Sequence, residues 1–258
     1  MTASIGLRTE GPLAFVTLTN SGRLNAMTRT MWRELREVFE RLAQLPALRC
    51  VIVGGEGGAF CAGGDISEYP SFRFDSARLR AFHEDEVWGA LAAMLACELP
   101  LVARIEGACM GAGIEIASCC DIRLAGASAK FGAPIARLGF PMAPREAALV
   151  QGAIGDVLAR DMLLAAGVHG AQRLYDAGFL LRVLPDAELG AEALVHARRI
   201  AALAPEAARL HKSTFATLRR AAMQQAVAPL LATAYDYADS AEHREGIAAF
   251  LAKRPPVF

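Results

Sequence analysis

Neither sign of charge prevails in this chain of 258 residues: 27 basic side chains face 27 acidic ones, and only three of the basic ones are lysine. Such a neutral chain leaves no electrostatic footprint for nucleic acid, so no nucleic-acid partner is expected. Long apolar runs are lacking too. The longest uncharged one, over 87–97, has eleven residues, whereas a spanning helix needs about 20, so no membrane partner is expected. No cysteine pair has Cys-x-x-Cys spacing. The six cysteines, at 50, 61, 97, 109, 119 and 120, mostly lie in apolar strings and read as reduced core thiols. The five histidines are scattered, and His83-Glu84-Asp85-Glu86 lacks the second histidine of a helical zinc motif, so no metal is expected. A Walker A loop, a Gly-x-Gly-x-x-Gly fingerprint and a Gly-x-Ser-x-Gly elbow are absent, which removes the usual cues for nucleotide phosphates and serine hydrolysis. Residues 1–10 have the pattern of neither a signal peptide nor an arginine-rich presequence, so the expected compartment is the cytoplasm.

Hydrophobic residues, by contrast, make up 54% of the chain beside 23 glycines, enough for a large core. Their spacing predicts a strand at 13–18, a helix over 28–43, a buried strand at 50–53, a glycine-rich loop at 54–64 and a long helix over 75–97. The order then recurs, with a strand at 101–105, a second glycine-rich loop at 106–113 and a short helix at 114–119. The two strands start 51 residues apart, which suggests a stacked repeat. Beyond about residue 145 the pattern is alanine-rich and helical, with helices expected near 146–154, 156–166, 186–203, 206–221, 224–237 and 240–252. Asp239 and Glu242 mark the start of the last of these. The fold class is therefore α/β: a core over 1–195 and a helical layer over 196–258, forming one continuous unit.

The two loops carry the chemistry. Ala59-Phe60-Cys61-Ala62-Gly63-Gly64-Asp65-Ile66 follows a buried strand and puts small residues where backbone approaches something closely. Glu106-Gly107-Ala108-Cys109-Met110-Gly111-Ala112-Gly113-Ile114-Glu115 runs from strand into helix, where free N–H groups favour an anion. Two N–H donors converging from separate loops would make an oxyanion hole; two tight turns packing helix on sheet would use the same glycines. In these motifs the chain resembles the enoyl-CoA hydratase/isomerase (crotonase) superfamily. Arg23-Leu24-Asn25-Ala26-Met27, Ala129-Lys130-Phe131-Gly132-Ala133-Pro134 and Phe250-Leu251-Ala252-Lys253-Arg254 agree with it. The resemblance implies a spiral of ββα turns, a homotrimer or homohexamer, and an acyl-CoA substrate that brings its own coenzyme A, with no separate cofactor. It also implies Gly64 and Ala112 as the N–H donors, and Arg23, Asn25, Ala62, Asp65, Phe250 and Lys253 at the CoA site, with Phe250 and Lys253 reaching a neighbouring subunit.

Glu115 lies one helical turn past Gly111 and matches the first of the family's two hydratase glutamates, which makes it the expected acid/base residue. The second glutamate is replaced by Ile135, directly after Phe131-Gly132-Ala133-Pro134. Isoleucine cannot activate water. Glu146 is a candidate substitute, although a carboxylate at a helix start needs no catalytic reason. The expected reaction is hydration of a 2-enoyl-CoA. Double-bond isomerisation by Glu115 alone, and a CoA-thioester binder without turnover, are the alternatives.

Overall fold

The structure, a computed structural model, describes residues 3–258, apart from the side chains of 219–226. Its first half holds β1 (Ser4–Glu10), β2 (Leu13–Thr19), α1 (Arg29–Leu42), β3 (Cys50–Gly55), α2 (Ser76–Ala81) and α3 (Trp88–Ala96). There follow β4 (Leu101–Ile105), β5 (Ala108–Met110), α4 (Ala112–Cys119), β6 (Ile122–Gly126) and β7 (Lys130–Gly132). The remainder is α5 (Pro144–Ile154), α6 (Asp156–Leu164), β8 (Val168–Gly170), α7 (Ala171–Asp176), β9 (Arg182–Leu184), α8 (Asp186–Ala201), α9 (Pro205–Val227) and α10 (Ala241–Leu251).

Cys50 to Val53 are all buried although successive side chains point to opposite faces, as in a parallel strand covered on both sides. The covering layers differ. Val51, Val53, Leu101 and Ala103 face one large core with Met31, Leu35 and Phe39 of α1 and Leu91 and Met94 of α3. Cys50, Ile52, Val102 and Leu124 face a smaller core closed by Leu189, Ala193 and Ala197 of α8. The sheet between them has the order β1-β2-β3-β4-β6-β9, antiparallel only at the β1–β2 pair. A second sheet, β5-β7-β8, lies across the spiral. Each turn of that spiral visits the large sheet, then the small one, then a helix, as in β4-β5-α4 and β6-β7-α5. In the turn that begins at β3, the second strand shrinks to one parallel bridge between Cys61 and Cys109.

Several expectations need correction. Residues 4–10 form a strand whose side chains are mostly exposed, so hydropathy does not mark it; its register with β2 runs from Ser4–Thr19 to Glu10–Leu13. Strands also persist beyond residue 145, at β8 and β9, each three residues long and too short for any period. The helix expected at 224–237 is instead the end of α9 followed by 3-10 turns at Ala228–Ala232 and Asp236–Asp239. Residue 196 lies inside α8, which packs on the large sheet. Ser240 rather than Asp239 caps α10, accepting from His243 N–H at 3.2 Å. Finally, the helix over 75–97 is interrupted by a π turn at Phe82–Val87 between α2 and α3. All six cysteines are buried and free, and among the described residues no helix is long and apolar enough to cross a membrane.

Candidate active site

The glycine-rich loops run side by side because Cys61 and Cys109 are bridged: Cys61 N–H donates to Ala108 O and Met110 N–H to Cys61 O, both at 2.8 Å. Gly64 and Ala112 each lie three residues beyond their bridged cysteine. Neither N–H has an acceptor among the described residues, and both residues line one cavity of about 760 Å³. Ala112 opens α4, where the first N–H groups have no intrahelical partner. Before it, Gly111 holds φ +47° and ψ −109°, a conformation that only glycine adopts without strain. The loops thus present two unpaired donors to the same space.

Glu115, on the first turn of α4, borders that cavity and is half-buried. Burial, and then the neighbouring Glu146 carboxylate, push its carboxyl up to about 8 against the opposing pull of Arg73. Glu115 therefore holds its proton at neutral pH. Glu146, on α5, is 2% exposed and does not line the cavity. It reaches the cavity through His83, whose Nδ1 lies 3.3 Å from Glu146 Oε1. A carboxylate at Nδ1 draws the single proton of a neutral imidazole to that nitrogen and leaves the lone pair on Nε2. His83 borders the cavity and its Nε2 is buried without a partner. Burial lowers the pKa of the ring, with Glu146 opposing, so it stays neutral.

The expected CoA-side residues are distributed unevenly. Arg23, Ala62 and Asp65 line the cavity. The Asp65 carboxylate accepts from Arg23 at 2.7 Å and from Ser67 N–H at 3.1 Å, which holds the Arg23 guanidinium at the exposed mouth. Asn25 does not line it. Its side chain accepts from Asn20 N–H at 3.0 Å and donates to Glu56 O and Ala59 O, both at 2.8 Å, so it is spent on shaping the loop. Phe250 and Lys253, expected at a neighbour's site, line the cavity of their own chain, because α10 packs back on the 3-10 turn Ile135–Leu138. Ile135 itself is on the cavity wall.

At the inner end stand residues that the sequence did not single out. Arg73 is 1% exposed and lines the cavity. Its Nε donates to His243 Nε2 at 3.4 Å and its Nη2 to Tyr237 Oη at 3.2 Å, while the Phe140 and Tyr69 rings flank it with centroids at 4.0 and 4.4 Å. In the sequence His83 stands out only as part of an incomplete zinc motif. No single-sequence signal marks Arg73, because its partners come from residues 69, 140, 237 and 243.

The family model for enoyl-CoA hydratase/isomerase matches residues 8–258. A probable enoyl-CoA hydratase, echA8, of Mycobacterium bovis is 29% identical over 95% of this chain and 94% of its own length. A crotonyl-CoA hydratase of Syntrophomonas wolfei is 28% identical over 99% of this chain and 97% of its own. Among solved structures, an enoyl-CoA hydratase/carnithine racemase from Magnetospirillum magneticum superposes with a TM-score of 0.81 at 36% identity, covering 100% of this chain and 96% of that one. The spiral α/β fold and the match along nearly the whole chain lead to one conclusion: this protein belongs to the enoyl-CoA hydratase/isomerase family and is an enzyme of it.

Proposed function

We propose that the protein hydrates a 2-enoyl-CoA, with coenzyme A as part of the substrate and no other cofactor. One arrangement carries this reading: two residues with unpaired backbone donors, a carboxyl that holds its proton and a histidine with an unpartnered ring nitrogen all border one cavity. The thioester oxygen sits between Gly64 N–H and Ala112 N–H. As His83 Nε2 takes a proton from water, the water oxygen bonds to C3. The C2=C3 electrons move towards the thioester, and the oxygen becomes an enolate held by the two donors. Preorganised dipoles of this kind stabilise the charge only as it develops. Glu115 then gives its proton to C2, and exchange with solvent resets both groups. Glu146 orients His83 and stabilises it as it becomes cationic. His83 with Glu146 thereby fills the role that Ile135 cannot. Exposed Arg23, Arg137 and Lys253 around the mouth suit the phosphates of coenzyme A.

A second reading, double-bond isomerisation by Glu115 alone, is favoured by the loss of the second glutamate to Ile135. Incubation with 2-enoyl-, 3-enoyl- and 3-hydroxyacyl-CoAs, read by mass and NMR, separates the two. Water gain on a 2-enoyl-CoA that fails in His83→Ala supports hydration. Conversion of 3-enoyl to 2-enoyl thioester without water gain would replace it, and silence with retained binding would leave a thioester binder.

The proposal extends to assembly and place. Leu210, Phe215 and Leu218 are 60%, 68% and 68% exposed on α9, an apolar strip suited to burial between copies in a homotrimer or homohexamer. Six buried free thiols suit a reducing cytoplasm.

A further inference from the structure

A guanidinium offers five N–H donors. Arg73 spends one on His243 and one on Tyr237, and its Nη1 has no acceptor among the described residues, although the residue borders the cavity. No carboxylate is in ion-pair contact with it among those residues. Both hydrogen-bond partners are neutral. His243 Nδ1–H donates to Ala238 O at 2.9 Å, so Nε2 is the lone-pair nitrogen that receives Arg73. Together with the flanking rings of Phe140 and Tyr69, these contacts fix the plane of the guanidinium and leave its charge uncancelled. A cation taken out of water without a counter-ion is costly, and arginine in a fixed plane is the residue suited to bidentate binding of a carboxylate.

We infer that Arg73 receives a carboxylate at the far end of the acyl group, so that the substrate is the monothioester of a dicarboxylic acid. The inference rests on the acyl-CoA reading above. Two observations place this anion at the acyl end. Arg73 is buried at the inner end of the cavity, whereas Arg23, Arg137 and Lys253 are exposed at its mouth. Its charge also acts on Glu115, beside the hole, which puts Arg73 with the reacting groups of the cavity and not with the cations of its mouth. The resident carboxylates leave Arg73 available, since Glu146 is engaged with His83.

Saturated thioesters test this without turnover. Titration calorimetry on the full-length protein compares succinyl-, glutaryl- and adipyl-CoA with their methyl esters and with butyryl-CoA. At least one of the three diacid thioesters should bind about tenfold or more tightly than its own methyl ester, and in Arg73→Gln that ratio should fall below about threefold. Circular dichroism establishes that the variant is folded, and Arg73→Lys should keep part of the preference. Methyl esters that bind the unaltered protein as well as the free acids overturn the inference, whether or not any variant folds. So does a preference that survives in folded Arg73→Gln. Absence of binding by every thioester, butyryl-CoA included, would instead remove the acyl-CoA reading on which the inference stands.

Discussion

The Tyr69 hydroxyl stands where a side chain on Gly64 would begin: a Cβ built at Gly64 lies 2.1 Å from Tyr69 Oη. Tyr69 has little room to retreat, being 8% exposed and edge-on to Phe72, Phe82 and Phe140 with centroids at 5.9, 6.4 and 6.1 Å. A methyl group at 64 must therefore displace the loop that holds one of the two donors. Gly64→Ala is expected to lower kcat/KM by roughly 10²- to 10³-fold, the effect of losing one oxyanion donor. Adding Tyr69→Phe leaves the nearest ring carbon at 3.2 Å from that Cβ, and part of the rate should return. Steady-state kinetics on both variants check this; equal rates for the single and double variants would remove the steric account.

The protonation of Glu115 sets the alkaline side of the pH profile. As the proton donor in hydration it is active below about 8, so kcat/KM should fall as pH rises past that point. An isomerase base at the same position would show the opposite limb. Glu115→Gln should remove the limb and at least about 10²-fold of the rate. Because Glu146 helps to raise Glu115, Glu146→Gln should move the limb to lower pH, which a purely structural role would not do. Stability follows the same proton: between 4.5, the ordinary value, and about 8, the native state binds a proton that the unfolded chain has lost. Stability from this group thus declines as pH rises through that window, and denaturant melts of Glu115→Gln should lack the slope.

Ile135 opens the 3-10 turn on the cavity wall and is only partly buried. A carboxylate placed there can meet water instead of apolar packing. In a His83→Ala background, Ile135→Glu is expected to restore 2-enoyl-CoA hydration by tenfold or more, about 1.4 kcal/mol of barrier. A folded double variant, verified by circular dichroism, that gains nothing would place the water elsewhere.

The exposed apolar face of α9 predicts an oligomer. Sedimentation at micromolar concentration should give three or six copies, and Phe215→Asp with Leu218→Asp should release smaller species. A 27.4 kDa particle alone would contradict the proposed assembly.

The sequence was most legible where one segment carries its own pattern. The buried run over 50–53, the α1 stripe and the paired glycine loops are periodic or compositional signals, and the structure places them within a residue or two. Thr28, which accepts from Met31 N–H at 3.1 Å to cap α1, belongs to that local level. The inner wall of the cavity does not. Arg73 meets Tyr237 and His243 across more than 160 positions, and His83 meets Glu146 across 63. Such pairings are made by the way the spiral closes, and no local spacing encodes them. The sequence shows that residue 135 lacks the second glutamate and offers Glu146 as a substitute, but not the histidine that stands between Glu146 and the cavity. Glu146 influences Glu115 from the neighbouring helix, behind that histidine.

The π turn at Phe82–Val87 carries more residues per turn than the α-helices on either side. Asp85 within it is exposed, and replacing it would change little. Deleting it would let α2 and α3 close into one regular helix; the flanking segments would keep nearly the same relative orientation, because the wider turn had absorbed the extra residue, while the residues inside the turn would be re-aimed. His83 would then be carried off the cavity wall while every side chain of the site kept its identity. The aim of this histidine is therefore a matter of counting: chain length at an exposed position, more than the chemistry of any neighbour, decides which way the ring points.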